Sequence, residues 1–197
     1  MAKKAIPPQR GFFPQPAYLM GCFQEDGRPN FTLVTWTTFC SAEPPMLMFT
    51  SGNASLKNTP MRILETGVFS ANLVTVPMVE QADFCGMTSG HKVDKCSAAG
   101  LSWVRGAVLD VPILEDSPWA FECMVVKTVK IGNGTVFFGE IKSIFADERI
   151  PDPSYGKVDL LVLDPVIYAP TRYYSVGGQI YTVGESLKKY PFKAQTL

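Results

Sequence analysis

Charge is scarce in this 197-residue chain: 18% of its residues are Asp, Glu, Lys or Arg, and 18 basic side chains balance 18 acidic ones. An average globular domain is about one quarter charged. With no net charge and a pI near 6.6, the chain lacks the basic surface that nucleic-acid-binding proteins use to neutralise phosphates. The low charge also predicts that a partner, a second copy of the chain, covers part of the surface.

Several kinds of site are disfavoured because their residues are missing. The chain has one histidine, His91, which disfavours zinc sites built on several histidines, Ser-His-Asp triads and most Cys-His pairs unless a partner supplies another histidine. Its five cysteines show no C-x-x-C spacing, which predicts reduced core thiols rather than disulfides. The sequence contains no G-x-G-x-x-G fingerprint, so it offers no dedicated Rossmann site for a nicotinamide nucleotide. We predict no metal site and no catalytic side chain.

Long apolar runs are also absent. No stretch approaches the roughly 18 consecutive apolar residues of a membrane-spanning helix. The amino-terminal segment is basic and proline-rich and lacks the apolar core of a signal peptide, so we expect a soluble, cytoplasmic protein. Hydrophobic residues nevertheless make up 46% of the chain and aromatic residues 12%, which excludes disorder and is enough for one substantial core.

What the sequence does contain is a series of β-strand patterns. Runs of apolar, aromatic and β-branched residues predict strands at 17–23, 31–39, 45–51, 68–74, 119–131 and 135–147. The pairs Asp26-Gly27 and Asn133-Gly134 predict hairpin turns, and Gly177-Gly178 predicts another near the carboxyl end. Antiparallel strands with a few short helices favour a mainly β fold, a closed barrel with helical decoration.

Three short helices are predicted between the strands. They start near Thr59-Pro60, Thr75-Val76-Pro77 and Lys92, and they end at Gly67, near Gly86 and at Gly100. In the first of them we expect Thr59 to be the N-cap, because threonine followed by proline is typical of a helix start. No linker divides the chain. We therefore expect a single domain over residues 1–197, with its core at about 15–145 and a carboxy-terminal arm or hairpin over 146–197.

One predicted strand could face a ligand. In the segment FTLVTWTTF (31–39), alternation places Thr32, Val34 and Trp36 on one face and Leu33, Thr35 and Thr37 on the other. The threonines are either ordinary strand formers or hydroxyl groups that face a planar, hydrogen-bonding ligand.

Two loops are suited to an anion. The first, within SGNASLKNTPMRIL (51–64), leads to a helix N-terminus beside Lys57, where free N–H groups and the helix dipole favour negative charge. The second, 85–96, combines small and basic residues: Gly86, Ser89, Gly90, His91, Lys92 and Lys95. Either loop alone could be a helix cap or a simple connection. The two together favour a phosphorylated cofactor.

The order of several short motifs resembles the flavin reductase-like family, whose members include FMN-binding, flavoredoxin-like proteins. From about residue 15 to 145, the motifs are EDGRPN–FTLVTWTTF, EPPMLMF, SLKNTPMRILETGVFSANL, CGMTSGHKVDKCSAAGL, FEC and FFGEI. The resemblance implies a six-stranded antiparallel Greek-key FMN-binding split barrel, assembled as a homodimer with FMN near the interface. It implies an oxidoreductase that passes electrons from NAD(P)H or a redox protein through bound FMN. The alternative is a non-catalytic FMN-binding protein or electron carrier.

Site residues follow from the same resemblance. Thr35, Trp36 and Thr37 would line the isoalloxazine ring, and Ser51, Lys57, Asn58 and Thr59 would hold the phosphate and ribityl chain. The remaining implied contacts are Asn72, Cys85, Gly86, Ser89, Gly90 and Lys95 near the flavin tail, and Tyr173 as an aromatic contact from the carboxy-terminal arm. A separate hypothesis makes Cys85 a redox-active thiolate, because nearby lysines can lower the pKa of a thiol.

Overall fold

A seven-stranded antiparallel sheet forms most of the protein in the computed structural model, which describes residues 3–10, 13–52 and 57–189. The strands are β1 (Gln15–Pro16), β2 (Tyr18–Phe23), β3 (Pro29–Val34), β4 (Thr37–Ala42), β5 (Pro45–Gly52), β6 (Val68–Leu73), β7 (Trp103–Arg105), β8 (Pro112–Leu114), β9 (Trp119–Ile131), β10 (Gly134–Ala146), β11 (Val166–Ala169) and β12 (Arg172–Ser175). The large sheet has the order β3-β2-β6-β9-β10-β5-β4, and two smaller sheets have the orders β1-β11-β12 and β7-β8.

Five short helices accompany the strands in the described part of the chain. They are α1 (Asn58–Thr66), α2 (Val79–Met87), α3 (Lys95–Ala99), α4 (Leu160–Leu163) and α5 (Ser186–Lys189), with a 3₁₀ turn at Val76–Met78. None of these helices is long and apolar enough to cross a membrane.

The two edges of the large sheet are consecutive in sequence. β3 and β4 lie at opposite edges, although only Thr35 and Trp36 separate them. The chain therefore joins one edge to the other, and the carbonyl of Trp36 accepts a hydrogen bond from the backbone N–H of Thr50 at 2.9 Å. The result is the predicted antiparallel barrel. Its strand count rises from six to seven because the segment predicted as one strand is interrupted.

The interruption also corrects the predicted alternation. Uniform alternation placed Val34 and Thr37 on opposite faces, yet both are buried, and Trp36 between them is 47% exposed. The reason is that β3 pairs with β2 whereas β4 pairs with β5. The chain must turn between the two ladders, and the side-chain order changes at that turn.

Two apolar cores flank β2. Met20 and Cys22 of β2 belong to a core that includes Phe49 and Phe137, whose rings stack 4.6 Å apart. Leu19, on the other face of β2, belongs to a second core with residues of α2 and α3. The central strand is therefore buried on both faces, and this core fixes the position of β3 and of the loops beside it.

Two helix starts and one hairpin differ from the prediction. Lys57, rather than Thr59, is the N-cap of α1, because the hydroxyl of Thr59 accepts a hydrogen bond from Asn30 instead. α3 begins three residues later than predicted, after Asp94, whose carboxylate accepts from the backbone N–H of Ser97 at 3.1 Å. The hairpin predicted at Gly177-Gly178 is wrong, since no strand follows β12 in the described part of the chain and β12 pairs with the preceding strand, β11.

Alkaline pH is expected to destabilise the protein through its buried thiols. Burial raises the thiol pKa from its ordinary value of 9.0 to about 12 for Cys22 and Cys96 and to about 11 for Cys85. As the pH rises, the thiols of the unfolded chain therefore lose their protons before those of the folded protein. The stability that the protonated thiols contribute is complete below pH 9 and is lost as the pH rises toward the thiol pKa values of the folded protein. Above pH 9, the free energy of unfolding should fall by about 1.4 kcal/mol per pH unit for each thiol.

Urea unfolding under reducing conditions at pH 7, 8, 9 and 10 measures this loss. A Cys85→Ala variant is the control, because its profile should be shallower by the contribution of one thiol. A free energy of unfolding that stays constant between pH 8 and 10 would contradict the expectation.

Candidate functional site

A cleft of about 780 Å³ opens beside the junction of β3 and β4. Its lining consists of Thr35, Trp36, Thr37, Thr38 and Phe39 at the junction, Leu47, Met48 and Thr50 of β5, Tyr18 of β2, and Arg10 and residues 13–16 before β2. The lining is mostly apolar and aromatic, and Arg10 is the one charged side chain among the described residues in it. Clefts of this volume and character commonly bind cofactor-sized molecules.

Hydrogen bonds to β5 hold the junction in place. The hydroxyl of Thr37 donates to the carbonyl of Met48 at 2.9 Å, and the carbonyl of Trp36 accepts from the backbone N–H of Thr50. With the backbone fixed on both sides, the half-exposed indole of Trp36 remains available in the cleft. The structure thus brings together Thr35, Trp36 and Thr37, the three residues implied for the isoalloxazine ring.

A cluster of amides, which we call the Asn58 cluster, forms at the start of α1. The carbonyl oxygen of the Asn58 side chain accepts from Gln24 Nε2 at 2.6 Å and from Asn30 Nδ2 at 2.8 Å, and Asn58 Nδ2 lies 3.3 Å from His91 Nδ1. Asn30 Nδ2 also donates to the Thr59 hydroxyl at 2.7 Å. These contacts join the β2–β3 hairpin, the N-terminus of α1 and the loop after α2.

The two loops suited to an anion are therefore neighbours in space. Lys57 is exposed at the start of α1, and Ser89 is exposed in the other loop, where its hydroxyl accepts from the backbone N–H of His91 at 3.3 Å. Gly90 lies against the Asn58 cluster, because a Cβ at this position would be 2.6 Å from Asn30 Oδ1. Ser51, near the end of β5, is buried and follows Thr50 of the cleft.

Strand β3 links the cleft to the Asn58 cluster. Asn30 lies near its start, and Thr35 follows its end. At the usual rise of a β-strand, the two positions are about 16 Å apart. The site is therefore suited to an elongated ligand with a planar end and an anionic end.

Lys95 has a different position from the one that the resemblance implies. Its side chain is 3% exposed, and its ammonium group donates to the carbonyls of Phe31 at 2.9 Å and Cys85 at 2.7 Å. Burial lowers the pKa of Lys95. Because the ammonium is turned into the protein, it joins α3 to β3 and α2 in place of the implied contact with the flavin tail.

Asn72 and Cys85 are also buried in the protein interior. Asn72 donates to the carbonyl of Leu19 and the hydroxyl of Ser70 and accepts from the backbone N–H of Leu114. These bonds use its amide for packing β6 against β2 and β8. The Cys85 thiol is fully buried, and burial raises its pKa to about 11, which argues against the hypothesis of a reactive thiolate at Cys85.

Gly86 and Tyr173 lie on the α2 side of β3, away from the lining of the cleft. A Cβ at Gly86 would be 3.0 Å from Leu33 Cβ, so glycine allows α2 to approach β3 closely. The Tyr173 hydroxyl donates to Asp83 of α2 at 2.7 Å, and burial, together with this bond, raises the pKa of Tyr173. Within one protomer, Tyr173 contacts α2 rather than the cleft.

The sequence did not predict several residues of the site, three of them polar or charged side chains discussed above. Gln24 and Asn30 complete the Asn58 cluster, and Arg10 lines the cleft. Asn30 closes the EDGRPN turn, one of the motifs that carry the resemblance, so the pattern held a signal for it. Gln24 and Arg10 had no such signal, because only long-range packing brings them to the site.

Comparisons with known proteins agree with this geometry. A family model described as the flavin reductase like domain matches residues 10–177. The chain belongs to the flavin reductase-like family. Membership supports a flavin ligand and a flavin-related, oxidoreductase-type role, and it confirms the resemblance found in the motifs.

Solved structures of the family share the fold. The chain is 30% identical to flavoredoxin of Desulfovibrio vulgaris (Miyazaki F), with a TM-score of 0.85 over 94% of this chain and 99% of that one. It is 28% identical to flavoredoxin from Methanosarcina acetivorans, with a TM-score of 0.84 over 95% and 100% of the two chains. A third solved structure, described as having a split barrel domain, also matches, so the mainly β split-barrel class is confirmed.

A curated relative is longer than this flavin reductase-like chain. An uncharacterized protein of Aeropyrum pernix is 32% identical over 146 residues, which cover 74% of this chain and 54% of that protein. The chain thus spans about half the length of that relative.

Proposed function

We propose that the protein binds FMN and acts as an FMN-dependent oxidoreductase, which passes electrons from NAD(P)H or a redox protein through the bound flavin. The observation that carries this proposal is the apolar, aromatic cleft joined by β3 to the Asn58 cluster. The alternative, a non-catalytic FMN-binding protein or an electron carrier, would use the same site. Two flavoredoxins among the similar structures favour keeping this alternative.

The residues present fit a flavin. Trp36 offers apolar surface to a planar ring, and Thr35 offers a hydroxyl to its polar edge. At the other end, the α1 N-terminus with Lys57 and Asn58 suits a phosphate, because free N–H groups and positive charge meet there. Ser89 and Gly90 of the neighbouring loop are proposed to complete that contact.

The protein's own contribution is binding and orientation. A bound flavin supplies hydride and single-electron chemistry, and it needs no acid, base or nucleophile from the protein. Trp36 and Thr37, fixed by β5, would hold the ring in one position and keep water from one face. Lys57 and Asn58 would anchor the tail, so that the ring cannot slide along the cleft.

We also propose that the protein forms a homodimer in the cytoplasm. Trp36 and Phe39 expose 47% and 60% of their surfaces beside the cleft, and exposed aromatic groups of this kind are typical of interaction surfaces. A second copy over them would place FMN near the interface, and sedimentation analysis measures its presence. The cytoplasmic location is favoured because all five cysteines are free, as expected in a reducing compartment.

The visible absorption spectrum of the purified protein, with and without added FMN, tests the proposed function. Flavin bands that bleach on anaerobic addition of NADH or NADPH would support the reductase. Bands that persist until dithionite is added would support the electron carrier. A protein that does not bind added FMN would contradict both.

Replacing Lys57 with alanine is expected to weaken FMN binding by about 1.5–3 kcal/mol, or about 10- to 150-fold in Kd, because a charge-assisted contact to phosphate is lost. Riboflavin, which lacks the phosphate, should bind the variant and the parent protein equally well. Quenching of flavin fluorescence measures both affinities. Lys127→Ala, which removes an exposed lysine from β9, is the matched control and should change neither. Equal losses for FMN and riboflavin would place the phosphate elsewhere.

A further inference from the structure

The amino-terminal wall of the cleft, which consists of Arg10 and residues 13–16, is attached firmly at its inner end. β1 pairs with β11, with Gln15 opposite Tyr168. The next residue, Ala17, is fully buried, and its carbonyl accepts from the backbone N–H of Val74 at 3.0 Å. Residues 15–17 are therefore part of the fold, and Phe13 and Arg10 also line the cleft.

Arg10 gives this wall a positive charge, and it forms no ion pair with the described residues. Of the described residues that line the cleft, it alone is charged. The ion pairs formed within the described ranges involve other arginines and lysines. Arg10 is exposed at the rim of a largely apolar lining, where an anion in the cleft can reach its guanidinium.

Gln15 and Phe13 add two further features of a binding wall. The amide oxygen of Gln15 is buried and has no hydrogen-bond donor among the described residues. A buried acceptor without a donor is costly, and rotation of the amide toward the cleft would let a ligand N–H satisfy it. Phe13 is 62% exposed and offers a ring face to a planar group.

We infer that the amino-terminal wall binds the second ligand of the flavin site, a planar molecule that carries an anionic group, and that Arg10 pairs with that anion. The inference rests on the proposed function, because it assigns this ligand the role of electron donor or acceptor beside the flavin. Nicotinamide nucleotides, through their phosphates, and aromatic acids, through their carboxylates, share this chemistry. Arg10 would then decide which electron-transfer ligands the cleft accepts.

Equilibrium binding to the FMN-loaded protein tests the inference. NADP⁺ and benzoate do not reduce flavin, and their binding is read from the change in the flavin absorption spectrum. Arg10→Gln should raise the Kd of the ligand that binds by about tenfold or more, and Arg10→Lys should restore most of the affinity.

Lys4→Gln removes an exposed cation from the same amino-terminal segment and should have no effect. The FMN affinity should stay within about twofold in all variants. Tighter binding of NADP⁺ identifies a nucleotide, and tighter binding of benzoate an aromatic acid.

Two outcomes would overturn the inference while the proposed function stands. One is an Arg10→Gln protein that binds both probes as the parent does. The other is an Arg10→Gln protein that loses FMN, which would assign Arg10 to the flavin. If the parent protein binds no FMN, the proposed function fails, and quenching of the protein's tryptophan fluorescence by the same probes then decides whether the wall binds an anion. Quenching that persists in Arg10→Gln would contradict the inference.

Discussion

Replacing Lys95 with alanine is expected to lower the free energy of unfolding by about 3–5 kcal/mol. The side chain is almost fully buried, and its ammonium group donates to the carbonyls of Phe31 and Cys85. Alanine removes both donors and leaves a cavity where the long side chain packed. Two buried carbonyls without donors, together with that cavity, account for the size of the loss.

Urea unfolding at pH 7 measures this effect, and two variants separate its causes. Lys95→Met keeps most of the volume but donates no hydrogen bond, so its loss should be smaller than that of alanine but still substantial. Lys92→Ala removes an exposed lysine nearby and should change the stability by less than about 0.5 kcal/mol. If Lys95→Ala kept normal stability but bound FMN tenfold more weakly, the result would support the implied contact of Lys95 with the flavin tail instead.

Replacing Glu122 with alanine is expected to cost about 3 kcal/mol or more. Its carboxylate is fully buried and accepts hydrogen bonds from three consecutive backbone N–H groups, those of Ala107, Val108 and Leu109. A Cβ at Gly106 would lie 2.6 Å from one carboxylate oxygen, so the loop between β7 and β8 is wrapped closely around this side chain. Without the carboxylate, that loop loses its attachment to β9.

Hydrogen exchange and urea unfolding together measure the loss. The amides of residues 107–109 should exchange much faster in Glu122→Ala, whereas Glu115→Ala, at an exposed glutamate in the segment after β8, should leave their exchange unchanged. Glu122→Gln should be intermediate in stability, since glutamine keeps one acceptor oxygen. A loss below about 1 kcal/mol in Glu122→Ala, with residues 107–109 still protected, would contradict this account.

Local patterns predicted much of the fold. The strand predicted at 119–131 has the bounds of β9, and β10 differs by one residue at each end from the strand predicted at 135–147. These strands could be predicted because β-propensity and the Asn133-Gly134 turn act over a few residues. The break at Thr35 and Trp36 could not be predicted, since local alternation continues through it and only the pairing of β4 with β5 reveals it.

The site was predicted less completely than the fold. The order of the motifs pointed to Thr35, Trp36 and Thr37, which line the cleft, and to Asn58, the centre of the polar cluster. Lys95 was misjudged because a lysine beside a glycine-rich loop suggests an anion contact. One of the two carbonyls that its ammonium contacts, that of Phe31, is 64 residues away in sequence. Contacts over such separations depend on the packed structure and leave no local trace.

The two-residue junction between β3 and β4 ties cofactor binding to the integrity of the barrel. Because Thr35 and Trp36 join the first and last strands of the sheet, a molecule seated against them touches both ends of one hydrogen-bonded ladder. Its binding energy then adds to the stability of every strand between those ends. A bound ligand would stabilise the contact between the two edges of the sheet, and loss of the ligand would weaken the barrel where these edges meet.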